Sequence, residues 1–243
     1  MIMGTYRVLI VIPAYNEAKN LPKVLDELKK NGDFADVLVI NDCSKDNTVE
    51  VLTKNKVNFI SNVFNMGYAM SVHTGIKYAY RNNYDYVIQM DADGQHNAKD
   101  ALALFEAIQE KKCDIVIGSR YLKRTDYDCP AMRRVGTKIF EKVIKLFCSK
   151  RITDPTSGFQ CINRRVIAEY AQSGFYPEYP DANLIIEMLY RGYKIKEISV
   201  NMRKRESGES MHGGILQPIS YMIQMFYAIM LVVLQNIRRS SRE

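Results

Sequence analysis

The segment Tyr86-Val87-Ile88-Gln89-Met90-Asp91-Ala92-Asp93-Gly94-Gln95-His96 places two carboxylates one residue apart behind a run of apolar, β-forming residues. Side chains at i and i+2 of an extended segment point the same way, so Asp91 and Asp93 can close on one hard cation. Carboxylate oxygens suit Mg2+ or Mn2+, and Mg2+ also keeps waters and binds substrate phosphates. The chemistry this suits is departure of a phosphate or diphosphate while a metal neutralises its charge. Asp91 alone would read as a cap or a turn residue; the strand before it and Asp93 after it favour a metal.

Four more polar clusters follow apolar runs: Pro13-Ala14-Tyr15-Asn16-Glu17, Asn41-Asp42-Cys43-Ser44, Asn65-Met66-Gly67-Tyr68 and Gly118-Ser119-Arg120-Tyr121. Together they have the parts of a nucleotide pocket. An aromatic ring and a carboxylate can hold a base, a glycine lets backbone approach a ligand closely, and an arginine clamps phosphate. Asp42 could equally stabilise its own turn, Gly67 could serve only a turn, and Tyr15 could belong partly to the core. His96 borders the metal site at most.

The elements that must position these clusters alternate. Apolar runs at residues 8–13, 36–40, 57–60, 84–90 and 114–118 predict strands. Helical spacing at 20–30, from 46 onward, at 69–80 and at 97–111 predicts helices between them. Repeated strand–helix units imply a mostly parallel α/β sheet flanked by helices. Such sheets bind ligands beyond the carboxyl ends of their strands, where every cluster falls. Residues 121–130 lack periodicity and predict a loop; 137–147 and 181–190 predict helices, and 158–162 and 194–200 strands.

The bulk numbers agree. Of 243 residues, 47% are hydrophobic and 25% charged, enough for a core and ordinary for a soluble protein. The net charge of +7 is uneven: residues 1–100 carry 11 Lys+Arg against 12 Asp+Glu, so the basic excess lies wholly in residues 101–243. That half should face something anionic, such as a diphosphate, a lipid phosphate or a membrane surface. No zinc-finger spacing and no basic helix with heptads point to nucleic acid. Five dispersed cysteines predict reduced thiols and a cytoplasmic setting, and no signal peptide is read at the start of the chain.

Residues 215–237 are strongly apolar and lead into Arg238, Arg239 and Arg242, while the longest unbroken apolar run is 225–234. That run is short of the ~20 residues that span a bilayer. Gln217, Ser220, Gln224 and Gln235 fall near one stripe, which predicts an amphipathic helix lying in a membrane interface. The plainer alternative is a helix packed on its own domain or in a dimer.

In order and in context, the five clusters resemble those of the family 2 glycosyltransferases, with a GT-A fold, over residues 6–210. Asp91 to His96, Asp154-Pro155-Thr156-Ser157-Gly158-Phe159 and Arg205 with Gly208 and Ser210 resemble the polyprenyl-phosphate sugar transferases of the dolichol-phosphate mannose synthase type. The resemblance implies a glycosyltransferase domain at 1–210 and a membrane- or partner-associated helix at 211–243. It implies Pro13, Tyr15, Glu17, Asp42, Gly67 and Asp91 at the nucleotide. Asp91, Asp93 and Gln95 would hold Mg2+ or Mn2+. Arg120, Arg133 or Arg134, and the loop residues Arg205 and Ser210 would bind phosphates, and Ser157 and Gly158 would shape the sugar region. Asn41-Asp42 departs from the two aspartates the family often has there, and Met211-His212 from its usual residues after the loop serine.

The activity implied is metal-dependent, inverting transfer from a nucleotide sugar, with UDP expected, to a polyprenyl phosphate for cell-envelope glycan. The expected location is the inner face of the membrane, against anionic lipid or a small membrane protein, with a homo-oligomer possible. A lipid phosphate is already anionic and needs no base. A glycan hydroxyl acceptor would need one, with Asp181 or Glu178 the candidates. A membrane-docking subunit of weak activity is the remaining alternative.

Overall fold

The computed structural model describes residues 6–31, 34–110, 112–123, 131–172, 174–203 and 216–240, with backbone alone at 131–133, 216–219 and 239–240. Strands β1 (Val8–Ala14), β2 (Asp36–Asn41), β3 (Asn58–Ser61), β4 (Tyr86–Gln89), β5 (Ile115–Ser119), β6 (Gln160–Asn163) and β7 (Ile195–Ser199) form one sheet. Its order is β3-β2-β1-β4-β6-β5-β7. The helices are α1 (Leu21–Lys30), α2 (Thr48–Lys54), α3 (Tyr68–Arg81), α4 (Ala98–Glu110), α5 (Ala131–Cys148), α6 (Arg164–Tyr170), α7 (Ala182–Tyr190) and α8 (Leu216–Ser240).

All pairings are parallel except those of β6, which runs antiparallel to β4 and β5. The mostly parallel α/β sheet expected from the sequence is present. Apolar content places β6 in a strand, but its direction depends on how the α5 segment returns the chain, which periodicity does not encode.

Successive residues of β1 point to opposite faces and feed two core layers. Leu9 and Val11 join Val72 and Ile76 of α3, Phe140 of α5 and Ile186 of α7. Ile10 and Ile12 join Leu21 and Leu25 of α1 and Leu104 of α4. A Cβ at Gly75 would collide with Val11, so α3 lies against β1 at a distance that only glycine allows.

Helix α8 belongs to the first layer. Met225, Ile229 and Val233 are buried with Phe140 and Ile144 of α5 and Ile185 of α7. The expected boundary at 210/211 lies outside the described residues.

The sheet opens where the chemistry was expected. β1 pairs with β4 only as far as Val11↔Gln89, while its pairing with β2 continues to Ala14↔Asn41. The Val11 carbonyl accepts from Met90 N at 3.0 Å, so Pro13, two residues on, turns its nitrogen to the same edge after β4 has left it. A proline is tolerated there because no ladder donor is lost.

Candidate active site

Asp91 and Asp93 follow β4 at this opening. Tyr68, the first residue of α3, donates its phenol to Asp91 Oδ1 at 2.7 Å, and Gln89 Nε2 donates to Tyr68 Oη at 2.8 Å. Burial first, and then the charge of Asp91, push the Tyr68 phenol well above its ordinary pKa, so it stays a protonated donor. A Cβ on Gly158 would lie 2.6 Å from Tyr68 Oη and 3.1 Å from Gln89 Nε2. Glycine at 158 is therefore what leaves room for this relay.

The Asp91 backbone N–H donates to His96 Nδ1 at 3.0 Å, which assigns the ring proton to Nε2, 3.7 Å from Asp91 Oδ2. His96 is buried and stacked on Phe159 with centroids 4.3 Å apart. Asp93 Oδ1 accepts from Gln95 N at 3.0 Å. The Gln95 side-chain amide donates to the Arg203 carbonyl at 3.1 Å, tying the aspartate turn to the chain after β7. Among the described residues no three His, Cys, Asp or Glu gather as a metal cage. Two carboxylates at an open sheet edge fit a cation whose remaining ligands are waters and a donor diphosphate.

At the neighbouring strand ends, Tyr15 is exposed after β1 and Asp42 is buried after β2. The Asp42 carboxylate accepts from Asn62 Nδ2, Met66 N and Gly67 N, each at 2.8 Å. Its bonds thus shape the loop that leads into α3. Gly67 caps that helix with φ +84°, where a side chain would be strained. Pro13 is buried within β1. Glu17 is half-buried, its backbone N–H held by Thr48 Oγ1 at 3.0 Å and its Oε2 accepting from Asn20 Nδ2 at 2.6 Å.

Arg120 already has protein partners. It is buried, and it grips Asp154 with two bonds of 2.7 Å from Nε and Nη2, while Nη2 also reaches Thr156 Oγ1 at 3.1 Å. A guanidinium buried this deeply needs a carboxylate partner, and Asp154 commits it to bracing residues 154–156. Glu197 of β7 holds the same turn by accepting from the backbone N–H groups of Thr153 and Asp154. Ser157 donates to the Gly118 carbonyl at 2.7 Å and is likewise part of the frame.

Asp181 precedes α7 and accepts from Tyr221 Oη of α8 at 2.6 Å. Burial raises its pKa to about 6, offset in part by the Tyr221 bond and the nearby Arg120 charge. Glu178 is exposed, and Arg134 is exposed on α5. Arg205, Ser210 and the Arg133 side chain lie outside the described residues.

Sequence reading missed the relay role of Tyr68, the Glu197 brace and Tyr221. Tyr68 and Asp154 stood inside clusters already singled out. Tyr221 carried no signal, because its partner is 40 residues away.

The family model described as "Glycosyl transferase family 2" matches residues 9–171. The undecaprenyl-phosphate mannosyltransferase of Micrococcus luteus is 29% identical over 227 residues, covering 86% of this chain and 89% of its own. The UDP-N-acetylglucosamine–dolichyl-phosphate N-acetylglucosaminyltransferase of Methanococcus voltae is 27% identical over 204 residues, covering 75% and 81%. Among solved structures, the glucosyl-3-phosphoglycerate synthase of Mycobacterium tuberculosis in complex with Mn2+, UDP and phosphoglyceric acid is similar in fold. Its TM-score is 0.71 at 14% identity, covering 96% of this chain and 78% of that one.

Proposed function

The chain belongs to glycosyl transferase family 2, and from that premise we propose that it moves a sugar from a nucleotide diphosphate, with UDP the expected carrier, onto a polyprenyl phosphate. The observation that carries this reading is the pair Asp91 and Asp93 at the open sheet edge, with Asp91 held in place by Tyr68. The two relatives named for undecaprenyl and dolichyl phosphates support the acceptor class, and their different sugars leave the sugar open.

Asp91 and Asp93 would hold Mg2+ or Mn2+, with Gln95 beside them, and the cation would neutralise the departing nucleoside diphosphate. Tyr15, Glu17 and the loop shaped by Asp42 and Gly67 would receive the nucleoside. An oxygen of the lipid phosphate would form a bond to the anomeric carbon as the bond to the diphosphate breaks, inverting that centre. No proton has to be removed from such an acceptor. Arg133, Arg134, Arg205 and Ser210 are candidates for its phosphate, and Arg120 acts chiefly through Asp154. The site would work at the inner face of the membrane, where α8 turns Ile223, Tyr227, Met230, Leu234 and Ile237 to solvent.

One observation favours a second reading. A carboxylate with a pKa near 6 is suited to take a proton from a glycan hydroxyl, and Asp181 would be that base.

The test uses the purified full chain, undecaprenyl phosphate and a panel of nucleotide sugars with Mg2+ or Mn2+. Sugar should pass to the lipid phase with an inverted anomeric centre. Chelator or Asp93→Ala should abolish it, and full activity under either condition would refute the metal role.

A further inference from the structure

Helix α3 fixes two separate things. Its first residue, Tyr68, holds Asp91. In its second turn His73 is buried and stacks on Tyr176, with ring centroids 5.2 Å apart and an interplanar angle of 15°. Tyr176 lies between α6 and α7, and Tyr170 of α6 meets the same ring edge-on at 5.4 Å. The rest of this segment is pinned as well. Phe175 stacks on Tyr170 at 6.0 Å, and Tyr179 meets Tyr221 at 5.7 Å shortly before Asp181. The Tyr176 ring is therefore held on both α3 and α6, in a segment that leads directly to Asp181. Tyr176 is only 8% exposed, yet its hydroxyl makes no hydrogen bond among the described residues. His73 Nε2, on the ring stacked against it, is likewise buried without a partner among them. A polar group buried without a partner destabilises the fold, and each such group in a native structure calls for a reason. Burial first, and the Asp181 charge second, push the Tyr176 phenol above its ordinary pKa, so it keeps a proton to donate. The same phenol adds to the upward push on Tyr68, after burial and Asp91. The Tyr176 hydroxyl is thus within electrostatic reach of both Tyr68 and Asp181.

We propose that Tyr176 contacts the sugar being transferred, its fixed phenol donating a hydrogen bond to one of the sugar hydroxyls. The proposal rests on the glycosyl-transfer reading above and names a residue that senses the sugar. In that reading Tyr68 and Asp91 stand at the departing diphosphate and Asp181 at the acceptor side, and the transferred sugar occupies the space between. Packing by His73 and Tyr170 leaves the phenol little freedom. A donor fixed in this way favours a sugar whose hydroxyl meets it over one whose hydroxyl does not, because the mismatch leaves a buried donor unpaired.

The experiment titrates the full chain with UDP-glucose, UDP-N-acetylglucosamine and GDP-mannose, and with UDP and GDP alone, by calorimetry in the presence of Mn2+. Wild type is compared with Tyr176→Phe, which keeps the stacked ring and removes only the hydroxyl. For the sugar nucleotide that wild type binds best, affinity relative to its bare nucleoside diphosphate should fall about twofold to tenfold in the variant, the range for one neutral hydrogen bond. The nucleoside diphosphate itself should bind as before. Loss of a buried, unpaired hydroxyl should leave the denaturant midpoint equal or higher. Transfer to detergent-dispersed polyprenyl phosphate, followed in parallel, should fall by at least the same factor in kcat/KM. Equal affinity ratios in the two proteins would overturn the contact, whichever acceptor is used. A variant less stable than wild type would show the hydroxyl bonded within the domain and would overturn it too. A Tyr176-dependent ratio in a wild type that transfers nothing to the lipid phosphate would support the contact while removing the proposed acceptor. Failure of wild type to bind any of the sugar nucleotides would remove both.

Discussion

At the scale of single residues, Asp91 is positioned by the phenol of Tyr68. Tyr68 spends its proton on Asp91, Gln89 orients Tyr68, and Gly158 leaves the space both need. Removal of an outer partner of a metal ligand typically costs 10–100-fold in metal affinity or activity. Tyr68→Phe should therefore raise the Mn2+ concentration needed for half-maximal turnover about tenfold or more while leaving the fold intact by circular dichroism. Gly158→Ala should push the phenol off Asp91 and produce the same shift. A metal titration indistinguishable from wild type in both variants would remove the relay. Asp181 makes a separate prediction through pH. Its folded pKa, about 6, lies above the ordinary carboxylate value of 3.8. The native state therefore favours the protonated form, and the associated stability is present at low pH and lost as pH rises from about 4 through about 6. The shift corresponds to roughly 3 kcal/mol at most. Asp181→Asn should thus gain stability relative to wild type between those limits, as read by denaturant midpoints at each pH. A constant difference across the range would contradict the shift.

Helix α8 decides the account at the scale of elements. Sequence periodicity predicts an amphipathic helix, in a membrane interface or packed on its own domain; in the structure Met225, Ile229 and Val233 supply core while a second apolar face stays exposed. Ile229 is buried in the same core layer as α5 and α7, and Ile229→Ala should cost about 2–4 kcal/mol in chemical denaturation. Truncation before α8 would uncover Phe140 and Ile185 and take Tyr221 from Asp181, so it should impair folding as well as membrane binding. A truncated chain of unchanged stability would show the helix to be an appendage. The strands were legible because buried parallel strands read as continuous apolar runs, as residues 8–13 do. Helix α6 was not foreseen, being seven residues long with only Val166, Ile167 and Tyr170 to mark a face. The start of α5 was placed six residues late, since its first six residues include two arginines and a glycine and form no apolar row. Within the site, the aspartate pair was legible from spacing. The commitment of Arg120 to Asp154 was not, because a lone arginine at a strand end carries no record of a partner 34 residues away.

At the scale of the whole molecule, the α5–α7–α8 layer carries Asp181 and the exposed apolar side chains of α8, while the edge that carries Asp91 and Asp93 opens between β1 and β4. A nucleotide sugar arriving from water and a lipid phosphate held in a bilayer would then meet at one site. The central claim is that the acceptor is this phosphate and not a hydroxyl, and the most direct measurement sets the two in competition. Wild type and Asp181→Asn are given one labelled nucleotide sugar with undecaprenyl phosphate and a glycan acceptor together, and label is counted in each product. The account predicts label in the lipid phosphate for both proteins, with the variant slowed only modestly because no base is required. Label confined to the glycan, with a loss of about 10²–10⁴-fold in Asp181→Asn, would contradict it.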